Sequence, residues 1–434
     1  MTTRATVRLW GTDIGYVSLG EEQQIAEFEY DSDFLHSGIE ISPIRMPLSS
    51  RIYRFPELQF KSFHGLPGLL ADSLPDKFGS AMIDTWLATK GRKPESFNPV
   101  DRLCYIGLRG MGALEYKPAL TRQRSTSSRI HVDQLVKLAS EILTHRSSLS
   151  TIFANRNKER AVQEILRVGA SAGGARAKAL IAWNPETNEV RSGQIQAGNG
   201  FEYWLMKFDG VQNNRDKELA DPRGYGAIEY AYSRMAKDAG ITMMPCRLFE
   251  ENGRRHFMTK RFDRTNNGDK LHLQSLAAIA HLDFNMVGTY GYEQAFMTMR
   301  DLGMGRHEIE QQFRRMIFNI VARNQDDHVK NIAFLMDRKG NWTLSPAFDV
   351  TYSFNPTGDW TSKHQMSVNG KRDGFDMKDM ESCGKIARLK QGEAKAIIRE
   401  VQSVVTQWRD YADETGIQSD QRDKIHKALR LDPF

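Results

Sequence analysis

Asn324-Gln-Asp-Asp-His-Val-Lys-Asn331 ends a helical pattern over about 305–324, in which Ile309, Phe313, Ile317, Ile320 and Val321 share one face. Short strands are predicted next, over 331–336 and 342–344, followed by Ser345-Pro-Ala-Phe-Asp349. The order is therefore helix, polar loop, β-hairpin, carboxylate. Phosphoryl transfer needs a carboxylate to accept the hydroxyl proton and two oxygen ligands to hold magnesium against a triphosphate. Protein kinases place the base and the metal-binding Asn at this D-x4-N spacing, with a second metal-binding Asp just past a short hairpin. On that reading Asp326 is the base, while Asn331 and Asp349 supply the few hard oxygen ligands magnesium prefers. Taken alone, Asp326 and Asp327 could equally cap or solvate a turn. The elements upstream favour the chemistry.

Tyr203 to Phe208 reads as a strand, and alternation puts Lys207 on the face of Tyr203 and Leu205. A lysine there is costly unless an anion meets it, and a nucleotide phosphate would. The plainer reading is an edge-strand lysine facing water. The helix predicted over 226–239 carries the apolar stripe Ile228, Tyr232, Met235 and Ala239. Glu229 beside that stripe could orient Lys207, or be a surface charge. Further upstream, Ser171-Ala-Gly-Gly-Ala-Arg-Ala-Lys178 is a glycine-rich loop before a strand, whose backbone can approach phosphates closely. It is neither G-x-G-x-x-G nor a Walker A, so a simple turn is the alternative.

At 434 residues the chain has room for roughly two to three domains. With 60 Lys+Arg against 54 Asp+Glu the net charge is +6, too mild to argue for direct nucleic-acid binding. Forty per cent hydrophobic residues fit a packed core. Cys104, Cys246 and Cys383 are far apart and form no metal-ligand spacing, which suits a reducing compartment. No signal-peptide h-region and no long apolar run is present, so a cytoplasmic protein away from membranes is expected.

Along the chain, residues 1 to about 30 read as strands with a turn at 11–13. Ser73 is the expected N-cap of a helix running through Thr89, with Pro75 in its first turn. A further helix is expected over about 131–145, a strand from Arg255 to Phe262, and two or three helices in the last 55 or so residues. The polar connector Thr121 to Arg129 is the best boundary. These elements predict an α+β, two-lobed fold around a cleft.

Residues 169–178, 203–208, 260–264, 324–335 and 345–350 resemble the HipA family, the toxin kinases of bacterial type II toxin–antitoxin modules. The residues that carry the resemblance are Ser171 to Lys178, Lys260-Arg-Phe-Asp-Arg264, Asn324 to Asn331 and Ser345 to Asp349. Leu66-Pro-Gly-Leu-Leu-Ala-Asp-Ser-Leu-Pro-Asp-Lys-Phe-Gly79 also resembles the family's N-terminal subdomain. The resemblance implies a protein-kinase-like fold with a β-rich N-terminal lobe, an extra N-terminal β subdomain and an all-helical C-terminal lobe. Its divisions fall at 1–125, 126–264 and 265–434. It implies an ATP- and Mg2+-dependent Ser/Thr kinase that phosphorylates a translation-related protein. A HipB-like helix-turn-helix antitoxin restrains it, and DNA is met mainly through that partner.

Carried over by position, Asp326 is the catalytic base, Lys207 binds phosphate, and Asn331 and Asp349 hold magnesium. The backbone from Lys260 to Phe262 reads adenine, and Ser171 is autophosphorylated. Ala172, Gly173 and Gly174 form the phosphate loop, steadied by Lys178. His328 and Lys330 lie within the motif beside the nucleotide. Lys330 adjoins Asn331 instead of following the base by two residues, and no Phe-Gly follows Asp349, so activation by flipping that segment is not implied. The rivals are a catalytically idle antitoxin-binding subunit and a kinase for a small molecule or lipid.

Overall fold

The computed structural model describes residues 4–20, 23–120, 129–144, 176–211, 215–216, 219–220, 224–265 and 267–431. The chain opens with an antiparallel sheet in the order β3-β2-β1-β4, built from β1 (Arg4–Leu9), β2 (Thr12–Ser18), β3 (Glu27–Tyr30) and β4 (Leu114–Lys117). Alternation buries Ala5, Val7 and Leu9 and leaves Arg8 outside. The first turn is Trp10-Gly11, both in the left-handed region at φ +50° and +88°. Two such residues match the right-handed twist of the flanking strands, so the turn sits one residue earlier than expected and Thr12 and Asp13 join β2.

The second sheet has the order β10-β11-β7-β5-β6, with all pairs antiparallel. Its strands are β5 (Lys178–Trp183), β6 (Val190–Ser192), β7 (Glu202–Lys207), β10 (Cys246–Glu251) and β11 (Arg254–Lys260). A short pair, β8 (Arg215–Asp216) and β9 (Leu219–Ala220), lies apart from it. One face carries Ala179, Ile181, Trp204, Met206 and Met258, and two helices cover it, Lys77–Thr89 and Val132–Thr144. The first of these comes from the N-terminal segment, so that segment and this sheet share a core. Its N-cap is Asp76, whose side chain accepts from the Gly79 N–H at 2.7 Å. Ser73 is therefore not the cap and Pro75 lies outside the helix; Ser73 instead accepts from the Tyr116 hydroxyl at 2.7 Å.

The C-terminal lobe packs around the Arg306–Val321 helix, whose Phe313, Met316, Ile317, Phe318, Ile320 and Val321 are fully buried. Four helices close the chain where two or three were expected: Met377–Ile386, Glu393–Val405, Trp408–Glu414 and Ser419–Ala428. The lobe is mostly rather than wholly helical. It holds the antiparallel sheet β12 (His272–Ser275), β13 (Ala333–Met336) and β14 (Trp342–Leu344). No helix among the described residues is long and apolar enough to cross a membrane.

The Tyr225–Asp238 helix joins the lobes. Its apolar stripe faces the C-terminal lobe, where Tyr232 stacks edge-on against Trp408 at 5.2 Å and donates to Ala322 O at 2.8 Å. Its other side lies flat on β11. A Cβ at Gly226 would stand 2.4 Å from Arg255 O, so only glycine lets the helix approach this closely.

Candidate active site

On β7, Trp204 and Met206 enter the core, so period two turns Tyr203, Leu205 and Lys207 to the opposite face, toward the cleft. Lys207 Nζ donates to Glu229 Oε1 at 2.6 Å and to Asp349 Oδ1. Glu229 is 2% exposed and Lys207 11%, whereas Asp349 keeps 31% of its side chain open. Burial works against the lysine's charge, yet Asp349 and Glu229 hold its pKa above the ordinary lysine value. Burial pushes Glu229 up against the pull of Lys207. Despite burial, Lys207 and then Lys178 hold Asp349 well below the usual carboxylate range. Removing either partner from the buried Lys207–Glu229 pair typically costs about 3–5 kcal/mol, because a bare charge stays behind.

Asp349 sits at φ +57°, in the left-handed region. The segment before it is tied down on two sides: Ala347 N donates to Thr242 O at 2.8 Å, and the buried Arg315 donates to Ser345 O at 2.6 Å. The polar loop follows the Arg306–Val321 helix. Asn331 Nδ2 donates to Asp326 O at 2.9 Å, which turns its amide oxygen the other way. Asn331, Asp349 and Asp327 line one small cavity with Asn319 and Asn324. Asp326 Oδ1 accepts from the Trp360 indole at 2.6 Å. His328 lies 3.9 Å from the same oxygen, and Lys330 places its ammonium 4.6 Å from the centre of the Phe284 ring.

Around Lys260 to Phe262 two backbone donors are already engaged: Lys260 N with Pro245 O and Arg261 N with Tyr203 O, both at 2.9 Å. Lys260 Nζ turns to Glu202 at 3.0 Å. Phe262 packs on Phe348, with ring centres 5.4 Å apart, next to Asp349. Arg261 and Arg264 close on the fully buried Asp263 at 2.8 and 2.7 Å, and Gly112 N donates to the same carboxylate. That cluster fastens the N-terminal segment to the sheet. Ser171, Ala172, Gly173 and Gly174 lie outside the described residues. Lys178 is described: it is buried, pairs with Lys207 across β5 and β7, and faces Asp76 at 3.5 Å.

Sequence reasoning missed several residues that the structure brings to the site. Asp327 is 1% exposed and accepts from Tyr292 Oη at 2.7 Å, His364 Nδ1 at 2.8 Å and Gln365 N at 2.8 Å. Arg430 donates to His364 Nε2 at 2.9 Å; arginine has no acceptor, so His364 carries its proton on Nδ1 and donates it to Asp327. Arg176, 3.6 Å over the Tyr225 ring, adds positive charge near Lys207. None of these contacts has a local sequence signature.

The arrangement is a lysine held by two carboxylates, a carboxylate and an amide on one cavity, and a positioned aspartate beside them. Among the described residues no three His, Cys, Asp or Glu side chains cluster as a metal cage. One carboxylate and one amide suit an ion that takes most of its ligands from phosphates and water, as magnesium does.

Two protein families match the sequence: the HipA-like C-terminal domain over residues 170–408 and the HipA N-terminal domain over residues 5–117. Among solved structures the chain is similar to HipA of the Shewanella oneidensis MR-1 toxin–antitoxin system, determined with HipB and its operator DNA. The TM-score is 0.68 at 16% identity, covering 98% of this chain and 96% of that one. Helicobacter pylori proinflammatory kinase CtkA gives a TM-score of 0.34 at 11% identity, over 53% of this chain and 86% of that one, too slight a likeness to argue from. No curated protein matches the sequence. At 16% identity the Shewanella likeness is one of fold.

Proposed function

The chain belongs to the HipA family, and from that premise we propose that it is the toxin of a type II toxin–antitoxin module, an ATP- and magnesium-dependent protein Ser/Thr kinase. The observation that carries the reading is Lys207 bonded at once to Glu229 and Asp349, because it holds an ammonium, fixed and charged, where nucleotide phosphates would lie. Bound ATP would supply the transferable phosphoryl group, and magnesium would neutralise its charge. Asn331 and Asp349 are the residues that would hold the ion. Asp326 accepts the proton of the attacking hydroxyl, and the Trp360 indole fixes the direction of its carboxylate. Phe262 and Phe348 offer an apolar wall for a base. Most of the rate then comes from positioning and electrostatics, with little covalent work for the protein.

The acceptor is a translation-related protein such as an aminoacyl-tRNA synthetase, and Ser171 is a second acceptor within the chain. The partner is a HipB-like antitoxin, through which operator DNA is reached in the cytoplasm. The Shewanella complex with HipB and DNA supports that partner. Phosphoproteomics after brief expression of the wild type and of Asp326→Gln tests the reading. Phosphate on serine or threonine of a translation protein, and on Ser171, should appear with the wild type alone. Identical phosphoproteomes would leave an idle antitoxin-binding subunit, and labelled metabolites or lipids would point to a different acceptor.

A further inference from the structure

Asp76 belongs to the N-terminal segment, 102 residues before its ionic partner Lys178. As an N-cap it uses one oxygen, Oδ1, on Gly79 N. Capping alone explains neither its charge nor its burial, since Ser or Asn caps equally well from the surface. Its second oxygen faces Lys178 Nζ at 3.5 Å, with the two side chains 9% and 3% exposed. Lys178 is the direct cross-strand neighbour of Lys207, so both ammonium groups stand on the cleft face of the sheet. Two ion-paired groups result, Asp76 with Lys178 and Lys207 with Asp349 and Glu229, and Lys178 also lowers the pKa of the Asp349 carboxyl electrostatically. Lys207 has two carboxylates of its own, and Lys178 meets Asp76. Burial pushes the Asp76 carboxyl up to about 6, against the pull of Lys178, the Gly79 N–H and Lys330. Lys330 comes from the catalytic loop, so the carboxylate feels cations from both lobes.

We propose that Asp76 is a positioning residue for phosphoryl transfer: it holds Lys178 at a set place in the phosphate site, and so makes the N-terminal subdomain a working part of the kinase centre. The proposal rests on the kinase reading above. Without the Asp76 charge, Lys178 would remain in a cleft with Arg176, Lys207 and Lys330, where the lost negative charge strengthens attraction for anions while the pull on the ammonium from the N-terminal segment is gone. Affinity and turnover should therefore part company.

The test is Asp76→Asn in the full chain, because asparagine keeps the cap and removes only the charge, with Asp76→Ser as a second capping variant. Calorimetry with ADP should show binding tighter by about three- to tenfold. Phosphate transfer should show kcat at least tenfold lower; the melting temperature should fall as well, because a bare buried ammonium is left behind, so the direction of the change in ADP binding is what separates positioning from destabilisation alone. In a Lys178→Met background, Asp76→Asn should lower kcat no further. The proposal is overturned by values within twofold of wild type, by weaker ADP binding together with a lower melting temperature, or by an effect of Asp76→Asn that persists without Lys178. A wild type that transfers no phosphate would instead remove the kinase reading, and this proposal with it.

Discussion

Asp326 and Asp327 are consecutive in the chain and occupy opposite sides of the polar loop that follows the Arg306–Val321 helix. Asp326 keeps 16% of its side chain open and accepts a tryptophan indole; Asp327 keeps 1% and is surrounded by a tyrosine hydroxyl, an imidazole N–H and a backbone N–H. A carboxylate that takes a proton must leave an oxygen within reach of substrate. One that holds a loop in place must have its lone pairs filled, because a buried acceptor without donors is expensive. On the proposed reading, the same residue type thus serves chemistry on one side of the peptide and construction on the other. Asp327 reaches back through His364 to Arg430, near the end of the chain. Arg430 also donates to Ile320 O at 3.0 Å, at the end of the helix that leads into the loop.

The sharpest separation should come from Asp326→Asn. Phosphate transfer should fall by about 10²–10⁴-fold or more, while the melting temperature stays near wild type, since the residue borders the open cleft. Near-normal turnover would dismiss Asp326 as the base. Asp327→Ala should behave the other way round. It strands the Tyr292 hydroxyl, the His364 N–H and the Gln365 N–H, and should cost about 3–5 kcal/mol, read as a lower urea midpoint for the C-terminal lobe. A variant of wild-type stability and no activity would erase the distinction between the two aspartates. Arg430→Ala comes next. It leaves His364 Nε2 without its donor but spares the three bonds to Asp327, so about 1–3 kcal/mol is expected by the same measurement. A cost as large as that of Asp327→Ala would mean the clamp begins at the chain end, not at the carboxylate.

The open side of this loop could be read in the sequence, and the closed side could not. The D-x4-N spacing is local, and so is the period-two pattern that sends Lys207 to the cleft. Asp327 instead draws its donors from 35, 37 and 38 residues away, and Arg430 stands a further 66 from His364, with no periodicity to announce them. Asp76 illustrates a local ambiguity. Ser73 and Asp76 are both good caps, and the choice was made by Tyr116, which takes the serine hydroxyl from 43 residues downstream. Lys260-Arg-Phe-Asp-Arg264 reads as a hinge motif, yet its Arg and Asp side chains are consumed in the buried cluster that binds Gly112. Strand β12 went unseen because only pairing with β13 makes His272–Ser275 extended. The Ser171 loop falls outside the described residues, so its expected phosphate has no geometry to meet.

The smallest effect is expected at Trp360, the residue that joins Asp326 to the segment after Asp349. Its Nε1–H bond to Asp326 Oδ1 is 2.6 Å long and its backbone oxygen accepts from Gln365, the residue whose own N–H reaches Asp327. Trp360→Phe retains that backbone contact and most of the ring's packing, so the cage around Asp327 should survive and stability should change by less than about 1 kcal/mol. What disappears is one hydrogen bond to a charged acceptor, of a kind that contributes about 1.5–3 kcal/mol. Part of that loss is made good by water, because Asp326 borders the cleft. The remainder is directional: the carboxylate gains a rotamer that does not face substrate. We therefore expect kcat to fall by about three- to tenfold with the KM for ATP unchanged, since the bond that is lost runs to Asp326, the proposed base. Steady-state kinetics at several ATP concentrations would read this split. A fall as deep as that of Asp326→Asn would show that Asp326 depends on its neighbour as fully as Asp327 depends on its cage, and the contrast between the two sides of the loop would be lost.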